Sequence, residues 1–468
     1  MIHITEFLNI INTPLTFILV IVLCFSGIWF TILTKGVQFR MIGEMVRIMI
    51  KSPEGNDKQR KSISGFQAFS MSLATRVGTG NMAGVATAIC LGGPGAVFWM
   101  WIMALIGSVN TFIECTLAQI FKSKDRKSYI GGPAYYITKG LGKRWLACIF
   151  SIAIIGGFGL ANNMVQANTI TAAFSTAFNI NPIIITAIIT LTTLTVIFGG
   201  VQRIAKVCTM MVPFMAIAYL MLALYVIASN ITIMPDVISI IIKNAFGMEE
   251  VAGGSVGMAI RMGFTRGIFS NEAGEGSAPN AAATAEVTHP VKQGLLQTLG
   301  VFTDTLIVCS CTAFIILCSG IYDNGLNGIE LTQVALCSQI GEAGKSIVAI
   351  AILFFAFSSI IGNYYYGENN ILFLLQGKQC KSAVILSYRL LLGLLLVTGS
   401  LTTIDLVWAS ADFFMVIMTV TNLVSILLLG RYAVRLLYDY QQQREEGIDP
   451  KFTKDKLPEE IQEQIECW

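Results

Sequence analysis

Charge is scarce in this 468-residue chain. Asp, Glu, Lys and Arg make up 13% of it, about half of what a soluble domain carries. That excludes an ordinary soluble protein, and the 54% hydrophobic content turns attention to the bilayer. Histidine is scarcer still: His3 and His289 are the only two. A histidine-built metal centre is excluded, and with no HExxH and no plausible serine–histidine pair the chain does not read as an enzyme. The 11 cysteines stand singly in apolar stretches with no CxxC pair, so they read as small buried hydrophobes. No GxxxxGK[ST] loop is present, which excludes a P-loop nucleotide site. The apolar runs lack the period-two alternation of a membrane barrel. No cofactor, nucleic-acid partner or obligate protein partner is implied.

What the chain has in abundance is apolar sequence in runs of 18 or more residues, each long enough to cross ~30 Å of hydrocarbon. Eleven spans are expected, at about 14–35, 65–91, 95–121, 145–178, 182–199, 206–229, 252–287, 293–319, 345–376, 382–400 and 404–437. Basic residues cluster at Lys35–Lys61, Lys122–Lys127, Arg203 and Lys206, Lys378 and Lys381, and Arg431 and Arg435, whereas Ile321–Glu342 has none. Alternating the spans through a cell membrane places every cluster in the cytoplasm, as the positive-inside rule requires. The N-terminus is then outside and the C-terminus cytoplasmic. Residues 1–13 carry no Lys or Arg, so the first run reads as a retained span and not a signal peptide. Val37–Lys51 has the pattern of an interfacial amphipathic helix. From Asp439 onward the chain is polar and charged, the composition of a soluble, partly disordered end.

Two of the spans are interrupted. Val77-Gly78-Thr79-Gly80-Asn81 breaks the second, and Ser270-Asn271-Glu272-Ala273-Gly274-Glu275-Gly276-Ser277 breaks the seventh. Omitting the first span leaves ten, and the breaks fall in the first and sixth of these. Those two spans start on opposite sides of the membrane. The expected fold is therefore an all-α polytopic transporter domain over 1–437, with an extra span at 14–35, inverted five-span repeats at 65–229 and 252–437, and a cytoplasmic tail at 438–468. An unwound helix survives in hydrocarbon only where a cavity, ion or solute supplies partners for its peptide groups. The half-helix starting near Asn81 suits a carboxylate. The carbonyls left near Ala74, Arg76 and Val77 suit a cation.

Intramembrane charges cost at least ~2.5–3.5 kcal/mol each unless paired or hydrated. Glu272 and Glu275 lie in the second break, and Arg76 beside the first is the obvious partner for one of them. The other reading is that one carboxylate faces a watery vestibule unpaired. Asn163 and Gln166, three apart in the fourth span, share a face and line either the site or a neighbouring helix. Ser358 and Ser359 in the ninth span offer hydroxyls to a cation or to their own backbone.

The runs Gly65-Phe66-Gln67-Ala68, Arg76–Ala86, Gly92-Gly93-Pro94-Gly95, Gly131–Tyr136, Gly267–Pro279 and Ile361–Glu368 together resemble the alanine or glycine:cation symporter family. The likeness covers residues 15 to about 437. It implies a leucine-transporter-type five-plus-five fold with one extra N-terminal span, and sodium-coupled uptake of small neutral amino acids, chiefly alanine or glycine. It further implies that the N–H groups of Thr79 and Gly80 hold the substrate carboxylate, with Phe269, Ser270, Asn271 and Gly274 opposite. It places sodium on the carbonyls of Ala74 and Val77 and the hydroxyls of Ser358 and Ser359. Asn162 stands where the family pattern has glycine, and Asn363 where it commonly has tryptophan. Both bear on pocket size and polarity.

The expectation is a secondary symporter in which sodium orders the broken backbone for the amino acid. One rival is proton coupling with Glu272 or Asp304 titrating. Another is a cation channel whose filter loops are the two breaks.

Overall fold

In a computed structural model of the protein, residues 2–51, 63–125, 128–248, 255–322 and 325–468 are described. Of the basic clusters, Lys58, Arg60, Lys61, Arg126 and Lys127 lie outside these residues.

Apolar sequence in hydrocarbon must satisfy its peptide groups within each segment, and helix does so. Among the described residues eight helices are long and apolar enough to cross a membrane: Glu6–Leu33, Gly95–Ile120, Arg144–Phe178, Gly200–Ser229, Pro290–Ser319, Ala343–Leu374, Lys381–Leu401 and Asp405–Glu445. Beside these eight, the described residues hold the shorter apolar helix Pro182–Ile197 and two interrupted helical segments. Numbered in chain order, the interrupted ones are spans 2 and 7. Span 6 begins at Gly200, earlier than expected, because Arg203 and Lys206 extend its helix instead of ending it. Span 11 likewise runs past residue 437 to Glu445.

Span 2 consists of Gly65–Arg76 and Val85–Gly92, joined by an unwound residue pair and a π-turn at Gly80–Gly84. Its first half starts on a capping box, in which Ser64 and Gln67 satisfy each other's backbone N–H. Span 7 runs from Val256 to Asn271 and resumes at Ala278–Ala282. Between them Gly274 and Gly276 hold φ of 80° and 82°, and Glu272 holds 58°. These left-handed angles explain the glycines there. Ile63–Ser64 pairs in parallel with Ala285–Glu286. That strand pair ties the entrance of span 2 to the exit of span 7, as the inverted orientation of the two requires. Two more π-turns, at Ile155–Asn162 and Phe302–Cys309, sit inside spans 4 and 8.

The C-terminal tail departs from its polar composition by folding onto the bundle. Phe452, Leu457, Ile461 and Ile465 are buried. The Phe452 N–H donates to Thr288 O at 2.9 Å, and the Trp468 indole N–H donates to Gln119 O at 2.8 Å. Lys122 lies between the Tyr129 and Trp468 rings, 4.2 and 4.4 Å from their centroids. The helix Ile42–Lys51 packs on the end of span 11, where Tyr440 and Arg444 both reach the Glu44 carboxylate.

Candidate functional site

The two breaks meet. A methyl group built on Gly80 would lie 3.0 Å from Ser270 Cα and 3.2 Å from the Phe269 ring, so a larger residue there would have to push span 7 back by a few tenths of an ångström. Asp304, in the π-turn of span 8, clamps both broken spans at once. Its Oδ1 accepts from Asn81 Nδ2 at 2.6 Å, and its Oδ2 accepts from Ser270 Oγ at 2.8 Å and Thr305 Oγ1 at 3.0 Å. Three donors leave neither oxygen of this fully buried carboxylate without a partner. Asn271 is held nearby: its Nδ2 donates to Thr305 Oγ1 at 2.9 Å, and its Oδ1 accepts the Ala273 N–H.

The first break has unequal partners. The Gly78 N–H is closed by Asn81 Oδ1 at 2.8 Å. The Thr79 N–H and hydroxyl both donate to Gln166 Oε1, at 3.0 and 2.7 Å. The carboxamide oxygen of span 4 therefore stands where a carboxylate is expected. The Gln166 amide in turn donates to Asn162 Oδ1 at 3.0 Å. Asn163 is not part of this chain of contacts, since its Nδ2 donates back to Gly159 O of its own helix.

On the other side of the break, span 9 presents two hydroxyls to two carbonyls. Ser359 Oγ lies 2.9 Å from Ala74 O and 3.5 Å from Val77 O, and Ser358 Oγ lies 3.4 Å from Ala74 O. Both hydroxyls also reach Phe355 O in their own helix, at 2.8 and 3.0 Å. Four hard oxygens converge on one locus, a donor set that fits a small alkali cation.

The expected ion pair between Arg76 and Glu272 or Glu275 does not form. Among the described residues neither carboxylate lies within 4.0 Å of that guanidinium. Arg76 donates through Nη1 to Gln297 O at 3.0 Å, and its Nε and Nη2 have no hydrogen-bond partner. Glu272 ends the helix in left-handed geometry, and its Oε2 accepts from Ser277 Oγ at 2.5 Å. Glu275 has no hydrogen-bond partner on either oxygen. Gly274 faces away from span 2, with its carbonyl bonded to Asn422 of span 11 at 2.9 Å and the Leu423 and Asn110 side chains beside it.

Several residues that matter here were not singled out from the sequence. Glu114 of span 3 accepts from the Gly276 N–H at 3.1 Å and from Asn422 Nδ2 at 2.6 Å, so it supports the second break. Tyr136 donates to Asn422 Oδ1 behind it. Arg266 and Asp412 form a two-pronged pair at 3.3 and 3.2 Å, with the guanidinium 4.3 Å from the Trp408 ring centre. Trp408 in turn covers Phe269, centroid to centroid 4.5 Å. Below this cover is a small cavity lined by Gly157, Phe158, Asn162, Phe269, Glu275 and Met415. Each of the missed charges was visible as a charge inside an apolar run, the signal that marked Glu272.

Comparison with known proteins agrees with this architecture. The profile of the sodium:alanine symporter family matches residues 1–454. A protein of Bacillus subtilis (strain 168) described as probable sodium/glutamine symporter GlnT is 50% identical over 452 residues, covering 96% of this chain and 93% of the relative. A second from the same organism, described as putative sodium/proton-dependent alanine carrier protein YrbD, is 44% identical, with 95% and 93% covered. Among solved structures, MhsT in complex with L-phenylalanine superposes with a TM-score of 0.55 at 13% identity, covering 81% of this chain and 99% of that one. That likeness shows the fold, the leucine-transporter type of a multi-pass membrane protein. A family profile over nearly the whole length, and relatives of half-identical sequence, leave one conclusion: the chain belongs to the sodium:alanine symporter family.

Proposed function

We propose that the two breaks form one site in which sodium and a small neutral amino acid, alanine or glycine, bind together and enter the cell as a unit. The observation that carries this reading is the convergence of Ala74 O, Val77 O, Ser358 Oγ and Ser359 Oγ beside the Thr79 N–H. Sodium on these oxygens draws the two hydroxyls off Phe355 O and orders the break. The substrate carboxylate takes the Thr79 and Gly80 N–H groups, displacing the Gln166 oxygen from Thr79. Asn81 and Ser270 act through the Asp304 clamp, which keeps the two half-sites in register, and Asn271 supports it through Thr305. Phe269, under Trp408 and the Arg266–Asp412 pair, closes the site on one side. By linkage, the amino acid tightens sodium binding by the factor that sodium tightens the amino acid. The protein lies in the inner cell membrane with its tail in the cytoplasm.

One observation favours a wider side-chain range that includes glutamine. Asn363 lies one turn beyond Ser359 in span 9, fully buried, and neither end of its carboxamide has a hydrogen-bond partner. A substrate carboxamide would complete it, and a half-identical relative is described as a probable glutamine symporter.

Uptake of labelled alanine, glycine and glutamine into proteoliposomes tests the reading, with sodium, lithium or protons as the imposed gradient. Accumulation that requires sodium, saturates and supports counterflow is expected. Equal uptake with and without sodium contradicts it, and flux without counterflow would indicate a channel.

A further inference from the structure

Four carboxylates are buried around the breaks: Glu114, Glu272, Glu275 and Asp304. Three have donors. Asp304 receives three, Glu114 receives the Gly276 N–H and the Asn422 amide, and Glu272 receives the Ser277 hydroxyl. Glu275 receives none, although it is only 1% exposed, and it lines the cavity beneath Phe269 with Asn162 and Phe158. The charged groups that face it are Glu272 of its own link, Glu114 of span 3, Asp412 of span 11 and Arg76 of span 2. Three of these four are carboxylates, and Arg76 makes no ion pair with it.

An ionised carboxylate needs donors or water when it leaves bulk solvent. Where three neighbouring acids have their donors and the fourth has a cavity, the fourth is the one whose charge state can follow the cavity. We propose that Glu275 is a proton-binding site of the transport cycle, protonated while the cavity under Phe269 is closed and deprotonated when that cavity opens to water. The proton comes from the aqueous phase on one side and returns to an aqueous phase, and no other bond changes. This assigns the role to Glu275 and not to Asp304, whose oxygens hold the two breaks together, or to Glu272, which accepts the Ser277 hydroxyl within the second break. The inference rests on the transport reading above for its place in a cycle.

Two measurements test it separately. Infrared spectra of the purified protein, compared with Glu275→Gln, read the proton directly and need no transport. A protonated-carboxyl band that is present in the wild type and absent in the variant is expected. No such band, or one that survives in the variant, overturns the proposal. In proteoliposomes with a sodium gradient, wild-type alanine uptake should vary by up to about tenfold per pH unit on one limb of its profile. Uptake should also move a lumenal pH dye. In Glu275→Gln the remaining uptake should vary by less than about twofold between about pH 5.5 and 8.5, without the dye signal. A pH profile and dye response equal to wild type would overturn the proposal. If the variant does not fold, Glu275→Asp should shift the infrared band, and an unshifted band counts against it. Wild-type protein that shows the band but no sodium-driven uptake would instead count against the transport reading.

Discussion

Gly78→Ala separates packing from ion binding. The new methyl carbon would sit 2.3 Å from Ser359 Oγ and 3.0 Å from Gln166 Oε1. Ordinary contact between such atoms begins at about 3.5 Å, so the overlap with Ser359 is about 1 Å. Forced overpacking of a core costs about 1–3 kcal/mol. Here the cost should fall at the low end, because a single hydroxyl rotor can swing aside. Swinging it removes the group that stands 2.9 Å from Ala74 O and 3.5 Å from Val77 O. If that hydroxyl is a sodium ligand, the bound ion loses one oxygen. A hydrogen-bond-type contact to a charge contributes about 1.5–3 kcal/mol, which converts to a roughly 10- to 150-fold rise in half-saturating sodium. The assay is alanine uptake into proteoliposomes as a function of external sodium, alongside thermal unfolding of the purified variant. A large shift in sodium dependence with a small change in Tm is expected. Unchanged sodium dependence in a folded Gly78→Ala protein would refute the assignment of the ion to this locus.

Three further outcomes follow from the same geometry. Thr79→Pro deletes a proposed carboxylate donor and the N–H now bonded to Gln166, so alanine affinity should fall at least tenfold; unchanged affinity counts against the carboxylate site. Asp304→Ala removes the carboxylate that accepts from Asn81 Nδ2 and Ser270 Oγ, so by the scale for buried donors that lose their acceptor stability should fall by about 1–3 kcal/mol, visible as a lower Tm together with lost uptake. His289 caps span 8 by accepting the Val291 N–H at Nδ1, while Nε2 lies 3.3 Å from Asp439 Oδ2, and burial holds its pKa below the usual value. The unfolded chain therefore binds the proton first, so stability is full above about pH 6.5 and falls as pH drops below it. The wild-type Tm should decline from about pH 7 to pH 5 more than that of His289→Asn, whose side chain also caps but does not titrate there.

Much of this was legible in the chain. The spans could be read because hydrocarbon demands long apolar runs, and the breaks because Gly78, Gly80, Gly274 and Gly276 interrupt such runs in company with polar residues. What sequence could not supply was direction. Arg76 and Glu272 both stand at breaks, yet the guanidinium points to Gln297 O and the carboxylate to Ser277, because the rotation of each half-helix is set by its neighbours. Glu114 and Asn422 meet across 308 residues, a pairing no local pattern contains. Asn162 and Asn163 are adjacent, and only the π-turn decides which of them reaches Gln166. The tail misled through its composition: its few apolar residues, Phe452, Leu457, Ile461, Ile465 and Trp468, are spaced to cover one surface, and that was enough to dock it.

The central claim is that the peptide groups at the two breaks are completed by an ion and an amino acid. Hydrogen–deuterium exchange on the purified protein tests it most directly, with sodium, alanine, both, or potassium in place of sodium. Added protection at residues 77–81 and 268–277 that requires sodium and is strengthened by alanine is the expected result. Protection confined to other segments, or the same at both breaks in potassium and sodium, would contradict it.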